Sequence, residues 1–495
     1  MSNFMANNSY SGILAIFAVA LIVVHGYRTL RRPTSQLPGP WITKWTDAVT
    51  LYYWLTGRKA KYVHSLHQKY GKDTGPVVRL GPNEVDISDR NVTKEIYSVK
   101  AVYRKDPFYM RFIAKGVDNV FSVNDTDVHR RYRRLLSNPM SESALKTVHG
   151  VIEANVDLAI RRVREEVETR GAADIFKWWM FMATDIIGEL SFGQSFRMLE
   201  QKKKNQYILD LERAGFVSAM RATFPTLITY PWLFPLPIFR RAASATARMV
   251  RYAEESLARH QRLELADPTN AKTTLFSKIF QAESEEQLSF QETRNNAMAY
   301  IIAGSDTTAN TLTYLVWSVC KHPHVKAALV AELNTLPTSG FGNSKLKQLP
   351  YLNQVVEETL RLYAAAPSSL PRSVPPEGAV LAGYWLEGGT TVSSQAYTLH
   401  RDPETFPDPE LFDPSRWESP TKDMKDAFFA FGGGSRVCLG MHLARMELRL
   451  ATAQFFRNFP DARVSTREGM SDEDMETKIH FLLSPKGKRC LIEAR

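Results

Sequence analysis

The chain has 495 residues, 44% of them hydrophobic and 23% charged, as in a globular protein with a substantial core. A mean hydropathy of −0.27 excludes a polytopic membrane protein, and three scattered cysteines exclude a disulfide framework and favour a reducing compartment. The net charge of +11 invites a nucleic-acid reading, but the basic residues occur in short groups within patterned helices, with no zinc-finger spacing, basic tail or RNA-recognition signature. They read as a solvated basic face or as a docking surface for an acidic protein or anionic membrane.

In chain order, "YSGILAIFAVALIVVHGY" (10–27) comes first, almost wholly apolar and preceded by no charge. As a helix it is about 27 Å long, close to the roughly 30 Å of a bilayer core. Arg28, Arg31 and Arg32 follow, which predicts a retained single-pass anchor over 1–30 with the body of the protein cytosolic. A cleaved signal peptide would need a positive n-region, which is missing. "LPGP" (37–40) makes 31–40 a proline-containing hinge, and 41–495 then forms one catalytic domain without repeats or a convincing internal linker.

Residues 76–88 read as strands, and 147–168 and 249–265 as helices. The segment "TYPWLFPLPIF" (229–239) suits either a membrane-touching loop or a packed connection between helices. From Ser289 to Pro323 the pattern predicts a helix of unusual length, opened by a capping box of Ser289 and Glu292. Its centre holds Gly304, Asp306, Thr307 and Thr308, all poor helix formers, as at a kink, a packing notch or a functional site. In the helix 349–367, Glu358 and Arg361 stand at i, i+3 opposite the apolar stripe, so periodicity alone makes them a surface pair.

The stretch "FAFGGGSRVCLG" (429–440) carries Cys438 near its end. As a nucleophile Cys438 would draw on His442, one turn on. As a zinc ligand it lacks companions at short spacing. As an axial haem ligand it would sit as a thiolate in a rigid loop near a helix N-terminus, whose N–H groups and dipole favour that state. Glycines 432 to 434 would let the backbone take positive φ and approach a flat cofactor.

"FGGGSRVCLG" (431–440) is similar to F-x-x-G-x-R-x-C-x-G, the haem-binding signature of the cytochrome P450 superfamily, through Phe431, Gly434, Arg436, Cys438 and Gly440. "ETLR" (358–361) resembles the family's E-x-x-R, "FDPSRW" (412–417) its P-x-R, and "AGSDTT" (303–308) its oxygen-binding stretch. The resemblance covers about 36 to 490 and implies a mainly α fold with small β-sheets. It implies haem b with Cys438 as the axial thiolate, and a buried network of Glu358, Arg361 and Arg416. Arg372, Arg436 and Arg133 fall where the family contacts the haem propionates. His129 replaces the family's tryptophan there, so that its charge would depend on pH.

The resemblance further implies a monooxygenase that inserts one oxygen atom of O2 into a neutral or weakly polar lipophilic molecule. Asp306 and Thr307 would relay protons, and Gly304 would make room for dioxygen. No flavin or nicotinamide domain is present, so electrons would come from NADPH through a separate cytochrome P450 reductase, with cytochrome b5 as a further donor. Arg130, Arg131, Arg134, Arg445 and Arg449 are candidates for the docking face. The substrate walls would come from 104–122, 215–240, Ala299 to Thr307, and Ser368 to Leu370. The wording of the haem loop resembles fungal microsomal members that tailor secondary metabolites, mycotoxins among them, on the endoplasmic reticulum membrane. Desaturation or ring formation on the same scaffold, a reductase-independent haem-thiolate isomerase and a haem sensor or carrier are the rival readings.

Overall fold

A computed structural model describes residues 20, 23, 24, 26–100, 102–204, 206–230, 232, 236–266, 274–276, 288–337 and 340–494. The apolar run at 10–27 lies largely outside them. Among the described residues no helix is long and apolar enough to cross a membrane.

The helices that frame the centre are α1 (Thr126–Ser137), α2 (His149–Arg170), α3 (Ile175–Phe192), α4 (Gln206–Thr223), α5 (Pro237–Ala266), α6 (Phe290–Lys321), α7 (Pro350–Leu362) and α8 (Met441–Asn458). α3 is apolar almost all round, with Phe176, Trp179, Phe181 and Ile187 buried, and therefore runs inside the molecule. α6 crosses the same core for 32 residues. Its capping box is complete: Ser289 Oγ accepts from Glu292 N at 3.2 Å and Glu292 Oε2 from Ser289 N at 2.8 Å. The helix continues through the poor helix formers at its centre, and Thr307, Thr311 and Thr313 donate their hydroxyls to carbonyls one turn back. Gly304 is a packing notch. A Cβ there would stand 2.8 Å from Ile187 Cγ1, so glycine lets α3 and α6 touch. The missing side chain at this position is spent on a helix contact.

Four small sheets occur among the described residues. The largest has five strands in the order β1–β2–β5–β4–β3: β1 (Val77–Gly81), β2 (Glu84–Ile87), β5 (Thr391–Ser393), β4 (Arg372–Ser373) and β3 (Arg104–Lys105). β1 and β2 fill the predicted run 76–88. β3 pairs antiparallel with β4, placing Lys105 directly opposite Arg372. The predicted hinge is docked on the globule. Arg79 of β1, 1% exposed, donates to the carbonyls of Thr34, Ser35, Leu37, Gly39 and Pro40.

α7 carries Glu358 and Arg361 as predicted, but both are completely buried. Its apolar stripe meets α6 and α8, and its polar side is covered by the chain around 400–417. An amphipathic pattern identifies the first of these partners and is blind to the second, so the surface-pair reading from periodicity fails and the buried network stands.

Candidate active site

The cysteine loop connects the covering segment to α8. Gly432 and Gly434 have φ of +70° and +59°, whereas Gly433 is extended at −149°. Gly434 is sterically required, since a Cβ would lie 1.8 Å from the Tyr97 carbonyl oxygen. The close approach is thus to protein. The Phe431 carbonyl accepts from Cys438 N at 2.9 Å and fixes the loop, while the Arg445 guanidinium lies 5.3 Å over the Phe431 ring. Gly440 caps α8, where a Cβ would make ordinary 4.0 Å contact with Cys438 Sγ.

Protein encloses the Cys438 thiol, yet it keeps accessible surface, which faces an internal cleft. It is near enough to Tyr300 of α6 to help push that phenol's pKa up. One turn on, Ala303 is exposed between buried Ile301 and Ser305, so α6 forms part of the cleft wall. Burial pushes the Cys438 thiol up, against the Gly440 N–H and Arg133. The expected thiolate is therefore not secured by the helix N-terminus alone; a metal cation would secure it.

Beside the loop, cations converge. Arg133 donates to the Val437 carbonyl at 2.6 Å, and Arg436 to the Val123 carbonyl at 2.8 Å. Arg372, 4% exposed, donates to the Pro371 carbonyl and lies 4.9 Å over the Tyr97 ring. Lys105, 7% exposed, lies between the rings of Tyr109 and Phe121 and bonds the Phe121 carbonyl. None of the four pairs with a carboxylate among the described residues. Burial and then the like charge of Arg372 push Arg436 down to about 10, and burial with Arg372 and Arg436 lowers Lys105 well below the ammonium range. His129 is buried in the same group, and burial followed by Arg436, Lys105, Arg133 and Arg372 pushes it down to about 3. Uncompensated buried cations are costly, and a dianionic cofactor with two carboxylates and a metal for Cys438 matches this donor set. Haem fits.

Residues 44–492 match the protein-family model described as cytochrome P450. The chain belongs to the cytochrome P450 family. It is 46% identical to cytochrome P450 monooxygenase tazI of Aspergillus terreus over 97% of this chain and 98% of that one. It is 43% identical to cytochrome P450 monooxygenase orf2 of Aspergillus niger over 94% of each. Identity to cytochrome P450 monooxygenase stcB of Emericella nidulans is 34% over 93% of this chain and 88% of that one. The protein is accordingly an oxidoreductase, a P450 monooxygenase whose family implies haem with thiolate-bound iron.

In this P450, Asp306 and Thr307 are not bonded to each other. Thr307 Oγ1 donates to the Ala303 carbonyl at 2.6 Å, and Asp306 Oδ1 accepts from Asn310 Nδ2 at 3.0 Å. Burial raises the Asp306 carboxyl, opposed first by Lys488. The expected docking cations are mostly engaged. Arg130 pairs with Asp127, Arg131 with Glu292 and Arg445 with Glu357. Arg449 is 8% exposed and bonds Asn353 and Asn343, so it offers no charge at the surface. Arg134 is exposed.

Three residues escaped sequence reasoning. Lys105 is one. His400 is another: with Nδ1 at 2.7 Å from the Arg361 carbonyl and Nε2 accepting from Phe429 N at 2.8 Å, it couples the buried network to the cysteine loop. Burial drives it down to about 3, leaving the neutral tautomer that both contacts need. The third is Glu447 on α8, 2% exposed, hydrogen-bonded to Thr308 and pushed up to about 8 by burial. No motif at short spacing marks any of them.

Proposed function

We propose that this P450 binds haem b through Cys438 and inserts one oxygen atom of O2 into a lipophilic small molecule, as a tailoring step of fungal secondary metabolism. The observation that carries this reading is a cysteine loop beside a group of buried and half-buried cations that no carboxylate pairs with among the described residues. When bound, the haem–thiolate group supplies activation of O2 for attack on an unactivated C–H bond. The polypeptide's part is to hold, shield and supply protons. Arg133, Arg372, Arg436 and His129 would hold the carboxylates, and Phe431, Gly434 and Gly440 fix the loop that presents the sulfur. Asp306, with a raised pKa, would take protons from solvent, and Thr307 would place one in the cleft by exchanging its Ala303 bond for a water.

The substrate wall supports a lipophilic ligand. Phe108, Tyr109, Phe112, Phe121 and Phe481 form one cluster, with ring centroids 5.1 Å apart for Phe112 and Phe481 and 5.6 Å for Phe121 and Phe481. Leu370 and Ala366 pack against it. Electrons would come from NADPH through cytochrome P450 reductase, with cytochrome b5 as a second donor. Residues 1–30 would anchor the chain in the endoplasmic reticulum membrane with the catalytic domain cytosolic. Exposed Trp41, Ile42, Trp232, Leu236 and Ile238 support contact with lipid.

The deciding experiment is spectroscopic and then catalytic. The reduced protein with carbon monoxide should show the red-shifted Soret band of thiolate ligation, and Cys438→Ser should lose it; an unchanged band in that variant would refute the ligand. Reconstituted with reductase, NADPH and 18O2, the enzyme should place one labelled atom in the product. Unlabelled product would instead indicate desaturation or ring closure, and turnover without NADPH an isomerase.

A further inference from the structure

A cavity of about 240 Å3, open to solvent, lies between the end of α3 and the face of α5, and none of the residues assigned above to haem or protons lines it. α5 supplies Ser256, Arg259 and His260 at i, i+3 and i+4, so one face of that helix forms a wall. Phe192 and Gln194 to Phe196 form the other, and the Phe196 ring stands 6.2 Å from Phe192 and 5.2 Å from Tyr252 of α5. Ser256 is the decisive residue. Ser244 and Thr246 of the same helix donate their hydroxyls to carbonyls one turn back, at 2.9 and 3.0 Å. Ser256 does not: it is 3% exposed and its Oγ has no partner among the described residues, a costly state for a hydroxyl. The other polar groups are either committed or free donors. Ser195 Oγ accepts from Arg197 N at 2.8 Å and bonds Asp185, whose carboxylate also accepts from Met198 N and Leu199 N. His260, 4% exposed, has Nε2 at 3.3 Å from Thr274 Oγ1. Gln194 and Arg259 are exposed at the mouth. Among the described residues no Asp or Glu lines the cavity, and no carboxylate pairs with Arg259.

We propose that this cavity is a binding site for a small oxyanion of the phosphate class, with Ser256 donating from its base and Arg259 and the Gln194 amide from its mouth. Each phosphate oxygen accepts readily, so one ligand would satisfy the unpaired hydroxyl and neutralise the guanidinium. It would also fasten α5 to the end of α3. Because α5 packs on α4 and α6, the site is placed to stiffen the helices that frame the centre.

The test uses the full-length holoprotein. Inorganic phosphate, titrated against chloride at constant ionic strength, should raise the unfolding temperature saturably. Ser256→Ala and Arg259→Gln should each weaken the apparent Kd about tenfold or more, as for loss of a hydrogen bond to a charged group. Arg251→Gln removes an exposed arginine of α5 outside the cavity and should leave the Kd unchanged. Glycerol 3-phosphate in a parallel titration separates the free ion from a phosphate monoester: saturable binding of either supports the site, and the tighter of the two identifies the source. No saturable shift with either probe, or a shift that survives in both Ser256→Ala and Arg259→Gln, would overturn the proposal. Should Ser256→Ala fail to fold, equilibrium dialysis of labelled phosphate with wild type and Arg259→Gln decides. Retention lost in Arg259→Gln supports the site, and equal retention refutes it.

Discussion

Two sets of charge adjoin the cysteine loop, and they are built on opposite plans. In the first, Glu358 accepts from Arg361 at 2.8 Å twice, from Arg416 at 3.1 Å, from Trp417 Nε1 and from Asp413 N. Arg361 spends its remaining donors on the carbonyls of His400, Pro409 and Leu411. Every strong group has a partner inside the chain, so this set belongs to the fold. In the second, Lys105, Arg133, Arg372 and Arg436 find only carbonyls, a phenol and ring faces. Matched burial locks a core, while unmatched burial of one sign identifies what the protein is built to receive.

The comparison can be broken at several points. The largest effect is expected at the matched set: Glu358→Gln leaves two arginines facing a neutral amide and should cost about 3–5 kcal/mol of stability. The unfolding midpoint measures it, and a change smaller than about 1 kcal/mol would show that the network is dispensable. Asp306 of α6, whose carboxyl is pushed up by desolvation, tests the catalytic use of an acid in the cleft. Asp306→Asn should lower product formation about 10²-fold while haem content stays normal. In the same assay Thr307→Ala should give less product and more hydrogen peroxide per NADPH consumed.

Next in size is Arg372→Met. It should release haem roughly tenfold faster with little loss of fold stability, the reverse of Glu358→Gln. If it destabilised the protein as strongly as Glu358→Gln, the division into two plans would fall. A pH dependence sharpens the rule. Glu447 has its carboxyl raised to about 8, so the folded state prefers it protonated. Its contribution is complete below the unfolded value near 4.5 and is lost as pH rises through about 8. The stability of Glu447→Gln relative to wild type should therefore increase from pH 5 to pH 8.5. Parallel pH curves for the two proteins would show that Glu447 is not held protonated.

The sequence was most legible where the physics is local. The capping box at Ser289 and Glu292, the turn-rich strands of 76–88 and the glycine-dependent loop around Cys438 each depend on residues a few positions apart. Amphipathicity failed at α7 because it detects one covering surface and that helix has two. Spacing failed at Lys105, whose meaning depends on a partner strand far along the chain.

What the sequence by itself determined is therefore the set of local devices: a long capped helix, a glycine loop ending in cysteine, a carboxylate and arginine at i, i+3, and the types of residue fit for haem and proton transfer. Only the tertiary structure decided which way they face. It turned Gly304 toward Ile187, withdrew Arg449 from the surface, and set His129 among cations. It also opposed Lys105 to Arg372. The reason is that turns, caps and helical spacing are set by neighbouring φ and ψ angles and short-range hydrogen bonds. Burial, and with it the sign and strength of every charge interaction, is set by whatever distant segment is packed on top.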